Sequence, residues 1–287
     1  MYDGGYRERF HLIDMLAAQK LSKDLFELIW VEHFDTIHED LKSNPGVKIV
    51  TLNRRPPLFV SYCWNEGIRK SNGDILVMID ADVVVPSNFL ETVLREHKRN
   101  SRLVMYFFRP EEPGPDPVPD QLPPVNIDFL KKVCILNNPN NYGGCLTVRK
   151  KWMMQVNGYE QFPCFAGNVF TGGKELYTRF KNLGLEIKWY PSMMLYHPWH
   201  PKSYGPFDHH PVKGTFHAQA QREVIQRRER SLGALPYQGI DPIHNSEPDW
   251  WDEWVVEWKK QQQKASRHEK LFIMYEKFCQ LFKSLFK

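Results

Sequence analysis

Residues 73–82 read GDILVMIDAD, and this stretch decides the fold class. Five consecutive apolar residues follow a Gly-Asp pair and run directly into Asp80 and Asp82, which are separated by one residue. A short apolar run of this kind predicts a strand that is buried on both faces, as in parallel sheets. Ligands of open α/β sheets bind beyond the carboxyl ends of such strands, so the two carboxylates lie where a site is expected.

The oxygen atoms of Asp80 and Asp82 suit a hard divalent cation, which in turn can hold the phosphates of a nucleotide. Asp-x-Asp alone is a weak signal, because a chain of this length contains roughly one such pattern by chance. The position after a predicted buried strand favours a metal site. The alternative is a helix cap or a solvated strand end.

The length suits one large α/β domain, or one domain with an appendage, and the apolar content can fill a substantial core. The chain has 287 residues, 42% hydrophobic and 14% aromatic, and a formal net charge of +4. No basic cluster interleaved with aromatic residues is present, so nucleic acid is not an expected partner. Five irregularly spaced cysteines indicate free thiols in a reducing compartment, and no signal peptide or bilayer-spanning run is visible. We therefore expect a cytoplasmic protein.

Short apolar runs alternate with helix-period segments over the first two-thirds of the chain, which predicts βα units and a mostly parallel sheet flanked by helices. Strands are predicted at 26–31, 47–52, 74–80, 103–108, 144–149 and 185–197, and helices at 7–20, 58–70, 150–156 and 173–183, with another opened by 86–88. Seven prolines within residues 109–124 predict a surface loop.

The C-terminal region has a different character. A tryptophan stripe at 250–258 predicts a helix, and residues 269–287 predict a basic amphipathic helix. That last helix could lie on the anionic inner face of a membrane, or pack against its own domain or a partner.

Several motifs in order resemble the GT-A fold glycosyltransferases of the large family-two group. Residues 65–74 (NEGIRKSNGD) lead into 79–82 (IDAD), and the glycine-containing segments 141–144 and 157–160 follow. The resemblance covers about residues 2–200. It implies a Rossmann-like GT-A domain over 1–217, with a nucleotide-binding part at about 1–108 and an acceptor part at about 125–217. Residues 218–287 would form a C-terminal helical extension.

The resemblance also implies an activity, namely metal-dependent transfer of a sugar from a UDP- or GDP-sugar to a glycan or lipid-linked acceptor. The transfer would proceed with inversion, and the resemblance suggests a role in polysaccharide biosynthesis. Asp80 would contact the ribose or the metal, Asp82 the metal, and His197 would add an imidazole ligand. The metal would be Mn²⁺ or Mg²⁺, and an imidazole favours Mn²⁺. Alternatively, His197 is bonded to a nearby carbonyl.

By the same resemblance, the nucleotide pocket would include Tyr2, Asp3, Glu32 and Asn65. Solvation of Glu32 and a helix-face role for Asn65 are equally plausible. The family's first strand would precede Tyr2 and is not seen, so we expect either a truncated sequence or a strand supplied otherwise. A sheet without it would expose the edge of the neighbouring strand.

The catalytic base is predicted to be Glu175, with Glu160 in reserve. An inverting transfer needs a carboxylate that takes the proton of the acceptor hydroxyl. The family's usual Glu-Asp pair is absent in register, and Glu175 is the only carboxylate of the matching segment. Glu175 could instead be an acid favoured by the helix dipole.

Two other functions compete with this interpretation. A sugar nucleotidyltransferase would also use an α/β sheet and acidic metal ligands, although residues 3–7 imitate its phosphate loop poorly. A catalytically inactive scaffold that binds nucleotide or glycan is favoured by the missing Glu-Asp pair and the missing first strand.

Overall fold

The computed structural model describes residues 10–54, 59–115, 124–165, 172–200, 215–246, 250, 252–253, 256 and 260. The helices are α1 (His11–Ala17), α2 (Glu39–Lys42), α3 (Val60–Lys70), α4 (Phe89–Arg99), α5 (Ile127–Val133), α6 (Lys150–Gln155), α7 (Gly172–Asn182) and α8 (Thr215–Ser231). The strands are β1 (Leu28–Glu32), β2 (Val47–Thr51), β3 (Ile75–Ile79), β4 (Leu103–Phe108), β5 (Cys145–Arg149) and β6 (Glu186–Met194). This order confirms the predicted α/β fold.

The strands form two separate sheets within the described part of the chain. β1 and β2 pair in parallel, and the larger sheet has the order β3-β5-β4-β6. β4 and β6 are parallel, whereas β5 is antiparallel to both β3 and β4. The predicted parallel sheet is therefore confirmed only in part. β5 runs in the opposite direction because it starts at the edge where β4 ends, so no crossover connects the two strands.

Both faces of the larger sheet are covered, as the apolar runs predicted. Along β4, Leu103, Met105 and Phe107 enter one core, whereas Val104 and Tyr106 enter the other. Residues of α1 and α4 complete the first core, and residues of α3, α6 and α7 complete the second. Side chains that alternate across a strand produce this two-sided burial.

Helix α8 packs on the core of the protein. Ala220 and Val224 of α8 share a buried cluster with Phe162 and Phe165. α8 crosses the predicted boundary between residues 217 and 218, and it packs against α7. The division of the chain into a domain and an extension stays a prediction.

Three further observations concern the predictions on compartment and membrane. The four cysteines in the described ranges are free thiols. In those ranges no helix is long and apolar enough to cross a bilayer. The predicted amphipathic helix at 269–287 lies outside the described residues, and its membrane contact stays a prediction.

Candidate functional site

The carboxyl ends of three strands converge on one edge of the larger sheet. Because β3, β4 and β6 run in the same direction, the segments that follow them meet there, together with the start of β5. Asp80 follows β3, and its backbone N–H donates to the carbonyl of Gly144 at 3.1 Å, just before β5. This edge is where the sequence places Asp80 and Asp82.

Two histidines contact Asp82 at this edge. The Nε2 atom of His197 lies 3.1 Å from Oδ2 of Asp82, and Nε2 of His200 lies 3.6 Å from the same oxygen. One ligand atom from each of the three residues lies within 4.8 Å of the others, which is close enough for a shared metal ion. The role of His197 as an imidazole ligand of the metal stays a prediction, and His200 was not predicted.

The backbone of the His197 segment is held from two sides. Val84 and Tyr196 exchange hydrogen bonds of 2.7 and 3.0 Å, which ties the segment after β6 to the segment after β3. The N–H of His197 donates to the carbonyl of Pro110 at 2.9 Å, and its carbonyl accepts from the N–H of Glu112 at 2.9 Å.

The start of the proline-rich stretch therefore pairs like a short strand, with bridges at Glu111 to Ile135 and to His197. This differs from the surface loop that was predicted. Residues 116–123 of that stretch lie outside the described residues. Proline removes only its own N–H group, so the carbonyls and the N–H groups of the intervening residues remain available. Neighbouring segments of the chain can therefore still form hydrogen bonds at isolated residues.

The two carboxylates of the site have opposite pKa shifts. Burial and the negative charge of Asp82 raise the pKa of Asp80 to about 7, although the guanidinium of Arg109 lowers it. Burial also acts to raise the pKa of Asp82, but hydrogen bonding to His197 and His200 and the charge of Arg109 outweigh it and hold that pKa well below its usual range. Asp82 therefore loses its proton at a lower pH than Asp80 does.

The residues fit a divalent cation. Oδ1 of Asp82 is buried and has no hydrogen-bond partner in the part of the chain that is described. Such an atom costs about 1–3 kcal/mol, and a cation beside it would remove that cost. A set of one carboxylate and two imidazoles suits Mn²⁺ better than Mg²⁺, which prefers oxygen ligands.

Both predicted bases lie in a buried charge cluster, Glu160, Glu175, Arg179 and Arg228. The Nε of Arg179 donates to both oxygens of Glu175, at 2.8 and 2.9 Å, and both side chains are 0% exposed. Arg228 of α8 lies 3.4 Å from Glu175 and 3.3 Å from Glu160. Two anions and two cations balance one another in this cluster.

Glu160 is further tied to the chain after α8. Its oxygens accept from the backbone N–H groups of Phe162, Tyr237 and Gln238, at 3.1, 2.7 and 2.9 Å. Burial and the charge of Glu175 raise the pKa of Glu160, although Arg179, Arg228 and the N–H of Gln238 lower it. The base roles of Glu160 and Glu175 stay predictions, and in this arrangement each carboxylate is enclosed by its partners.

The predicted nucleotide-pocket residues are placed as follows. Asn65 of α3 is buried, and its amide exchanges two hydrogen bonds with the backbone of Tyr159, at 2.7 and 2.8 Å. Glu32 is buried at the end of β1, where an oxygen of its side chain accepts from the N–H of Phe34 at 3.4 Å. Tyr2 and Asp3 lie outside the described residues. Their roles stay predictions.

Sequence reasoning missed Arg109 and His200. Arg109 comes directly after β4, whereas His200 lies in the segment that follows β6, three residues after His197. Polar residues directly after each predicted strand of a parallel set were the available signal.

The sequence and the fold were compared with known proteins. Residues 15–156 match the family model described as "Glycosyl transferase family 2". No curated protein matches the chain at a significant level.

Two solved structures are similar in fold. One is the crystal structure of GalNAc-T7 with UDP, GalNAc and Mn²⁺, at 14% identity and a TM-score of 0.53, covering 85% of this chain and 53% of that chain. The other is the mannosyltransferase PcManGT from Pyrobaculum calidifontis in complex with GDP-Man and Mn²⁺, at 12% identity and a TM-score of 0.51, covering 80% of this chain and 67% of that one.

The chain spans about half the length of the GalNAc-T7 chain. At these identities the likeness shows the fold and not the activity. Together with the family match over residues 15–156, it confirms the predicted GT-A fold, and the matched segment is similar to the family-two glycosyltransferases.

Proposed function

We propose that the chain transfers a sugar from a nucleotide-sugar donor to a glycan or lipid-linked acceptor, in a reaction that needs a divalent cation. The observation that carries the proposal is the cluster of Asp82, His197 and His200 beside Asp80 at the site edge. The two structures of similar fold contain UDP, GalNAc and Mn²⁺ in one case, and GDP-Man and Mn²⁺ in the other. A UDP- or GDP-sugar is therefore the proposed donor.

Asp82, His197 and His200 would hold the cation, and Asp80 would contact the ribose or the cation. Bound there, a divalent cation neutralises the charge of the leaving diphosphate. The two backbone pairings around Tyr196 and His197 hold the segment that leads to both imidazoles. A segment positioned in this way would reduce the entropy that is lost on metal binding.

Transfer with inversion requires a base, and we propose Glu175, with Glu160 as the second choice. To act on an acceptor hydroxyl, Glu175 would have to leave its bonds with Arg179. Glu175→Gln tests the role, because the amide cannot take the proton. Because Glu175→Gln also breaks a buried ion pair, the variant should be less stable than the wild type. Loss of transfer in a variant that is still folded and still binds UDP or GDP with Mn²⁺ supports catalysis, whereas full transfer activity excludes it.

A catalytically inactive nucleotide-binding scaffold is the second candidate. The enclosure of both Glu160 and Glu175 in the buried charge cluster favours it. A scaffold would bind the nucleoside diphosphate with the metal, but it would neither hydrolyse nor transfer the sugar. Incubation of the wild type with UDP- and GDP-sugars and Mn²⁺ separates an enzyme from a binder.

The test of the site is calorimetric titration of Mn²⁺, followed by titration of UDP and GDP with Mn²⁺ present. Asp82→Asn should weaken Mn²⁺ binding at least about tenfold, because even outer-shell partners of a metal contribute that much. Asp74→Asn is the matched control, since Asp74 is exposed and precedes β3 at the opposite end of the strand. Wild-type protein that binds neither UDP nor GDP in the presence of Mn²⁺ or Mg²⁺ would overturn the proposal.

A further inference from the structure

Arg109 extends across the site edge from the end of β4. Its side chain is 16% exposed and packs over Gly144. A Cβ atom at Gly144 would lie 2.8 Å from Cδ of Arg109, so a larger residue there would displace the arginine. The absence of a side chain at 144 therefore allows a guanidinium to lie beside Asp80.

The guanidinium joins two carboxylates. Nη1 donates to Oδ2 of Asp80 at 3.0 Å, and Nη2 donates to Oε1 of Glu111 at 3.1 Å. Nε of Arg109 is buried and has no hydrogen-bond partner among the residues described. Arg109 is thus a cation held between the carboxylates of Asp80 and Glu111.

The charges at the edge show what Arg109 can do. Asp80, Asp82 and Glu111 bring three formal negative charges, and Arg109 brings one positive charge within bonding distance of two of them. A divalent cation at Asp82 would compete with Arg109 for Asp80, because both are attracted to the same carboxylate. Once released, the planar guanidinium fork is suited to the oxygens of a phosphate.

We propose that Arg109 is a donor-binding residue, which exchanges its bond with Asp80 for a bond with the diphosphate of the nucleotide when a divalent cation takes that carboxylate. The proposal rests on the function proposed above. The exchange makes two opposite demands on one side chain. Arg109 opposes binding of the metal alone, and it favours binding of the metal together with a nucleoside diphosphate.

Arg109→Gln tests both demands by calorimetry, with Mn²⁺ alone and then with UDP or GDP in saturating Mn²⁺. We expect the variant to bind Mn²⁺ alone about threefold or more tightly, because a competing cation is gone. It should bind the nucleoside diphosphate about tenfold or more weakly, because a charge-assisted hydrogen bond is lost. Arg109→Lys keeps the charge, so its affinities for Mn²⁺ and for the nucleoside diphosphate should lie between those of the wild type and of Arg109→Gln.

Arg102→Gln is the matched control, since Arg102 stands just before β4 at the opposite edge and bonds the carbonyl of Gly184 at 2.8 Å. It should leave both affinities unchanged. Equal losses of Mn²⁺ and nucleotide affinity in Arg109→Gln, or no change in either, would overturn the proposal. If Arg109→Gln does not fold, as judged by circular dichroism, the same criteria apply to Arg109→Lys.

The two proposals fail in different ways. Wild-type protein that binds no nucleoside diphosphate ends the proposed function and the role of Arg109 together. If the wild type and Arg109→Gln bind UDP or GDP with equal affinity, only the proposed role of Arg109 is excluded.

Discussion

Replacing Arg179 with methionine should strongly destabilise the protein. The methionine has a similar length but no charge, so the carboxylate of Glu175 would lose three contacts of 2.7 to 2.9 Å while both positions stay buried. The carbonyl of Val156, which accepts from Nη1 of Arg179 at 2.6 Å, would lose this donor as well. Arg228 would be left as the cation nearest to Glu175 in this cluster, at 3.4 Å.

The expected cost follows from the burial of the pair. Removal of one partner from a buried ion pair costs about 3–5 kcal/mol, because an uncompensated charge remains inside the protein. The free energy of unfolding of a whole domain is about 5–15 kcal/mol, so Arg179→Met would remove a large part of it. Urea unfolding followed by circular dichroism measures this difference, provided that the slope of the transition is unchanged.

Two further variants make the test specific. Arg179→Met combined with Glu175→Met removes both charges, and it should recover much of the loss, since apolar replacements of buried pairs are often tolerated. Arg230→Met is the matched control, because Arg230 is 67% exposed and pairs with Glu223 at the surface, where an ion pair contributes about 0–1 kcal/mol. A loss below about 1 kcal/mol in Arg179→Met would refute the reasoning from burial.

Two other predictions concern the core. Burial and the nearby charge of Arg149 lower the pKa of His97 to about 4 from its ordinary value of 6.5. As the pH is lowered, His97 therefore takes up a proton in the unfolded chain before it does so in the folded protein. The free energy of unfolding decreases as the pH is lowered from 6.5 to about 4. Between about pH 7 and about pH 5, His97 should account for about 2 kcal/mol of the lost free energy of unfolding. In His97→Gln the urea midpoint should therefore shift less between these pH values than it does in the wild type. An equal shift in both proteins would contradict the assignment to His97. Gly173→Ala places Cβ 2.4 Å from the carbonyl oxygen of Tyr142 and should lower the free energy of unfolding by about 1–3 kcal/mol. In the control Gly143→Ala, Cβ meets nothing nearer than 3.6 Å, so the melting temperature should be unchanged. Equal melting temperatures for the two variants would show that the close contact at 173 is relieved at no cost.

Most elements of the fold were predictable because their signals are local. The apolar runs at β3 and β4 and the helix-period segments at α3 and α7 lie within two or three residues of the predicted bounds. The direction of β5 was not predictable in this way. It depends on the edge at which the chain returns after α5, and no periodicity within the strand records that edge.

Of the candidate site, the sequence allowed the position of the two carboxylates to be predicted, but not the surroundings of Glu175. Asp80 and Asp82 follow a strand that its own apolar residues predict, so their place at a sheet edge could be inferred. Glu175 was predicted from its segment alone, and the structure shows that Arg179 and Arg228 surround it. A helical i, i+4 spacing to Arg179 was visible in the sequence, but it does not state whether the pair faces solvent or the core.

Local sequence patterns are sufficient to predict that the chain forms an α/β sheet and that two carboxylates stand at the end of one of its strands. These facts depend on the alternation of side chains over a few residues, which the chain carries in its own order. Only the tertiary structure brought His197 to Asp82 across 115 positions, added His200, and laid Arg109 over Gly144 beside Asp80. The physical reason is that these contacts depend on the order of strands in the sheet, which is decided by the packing of the whole core.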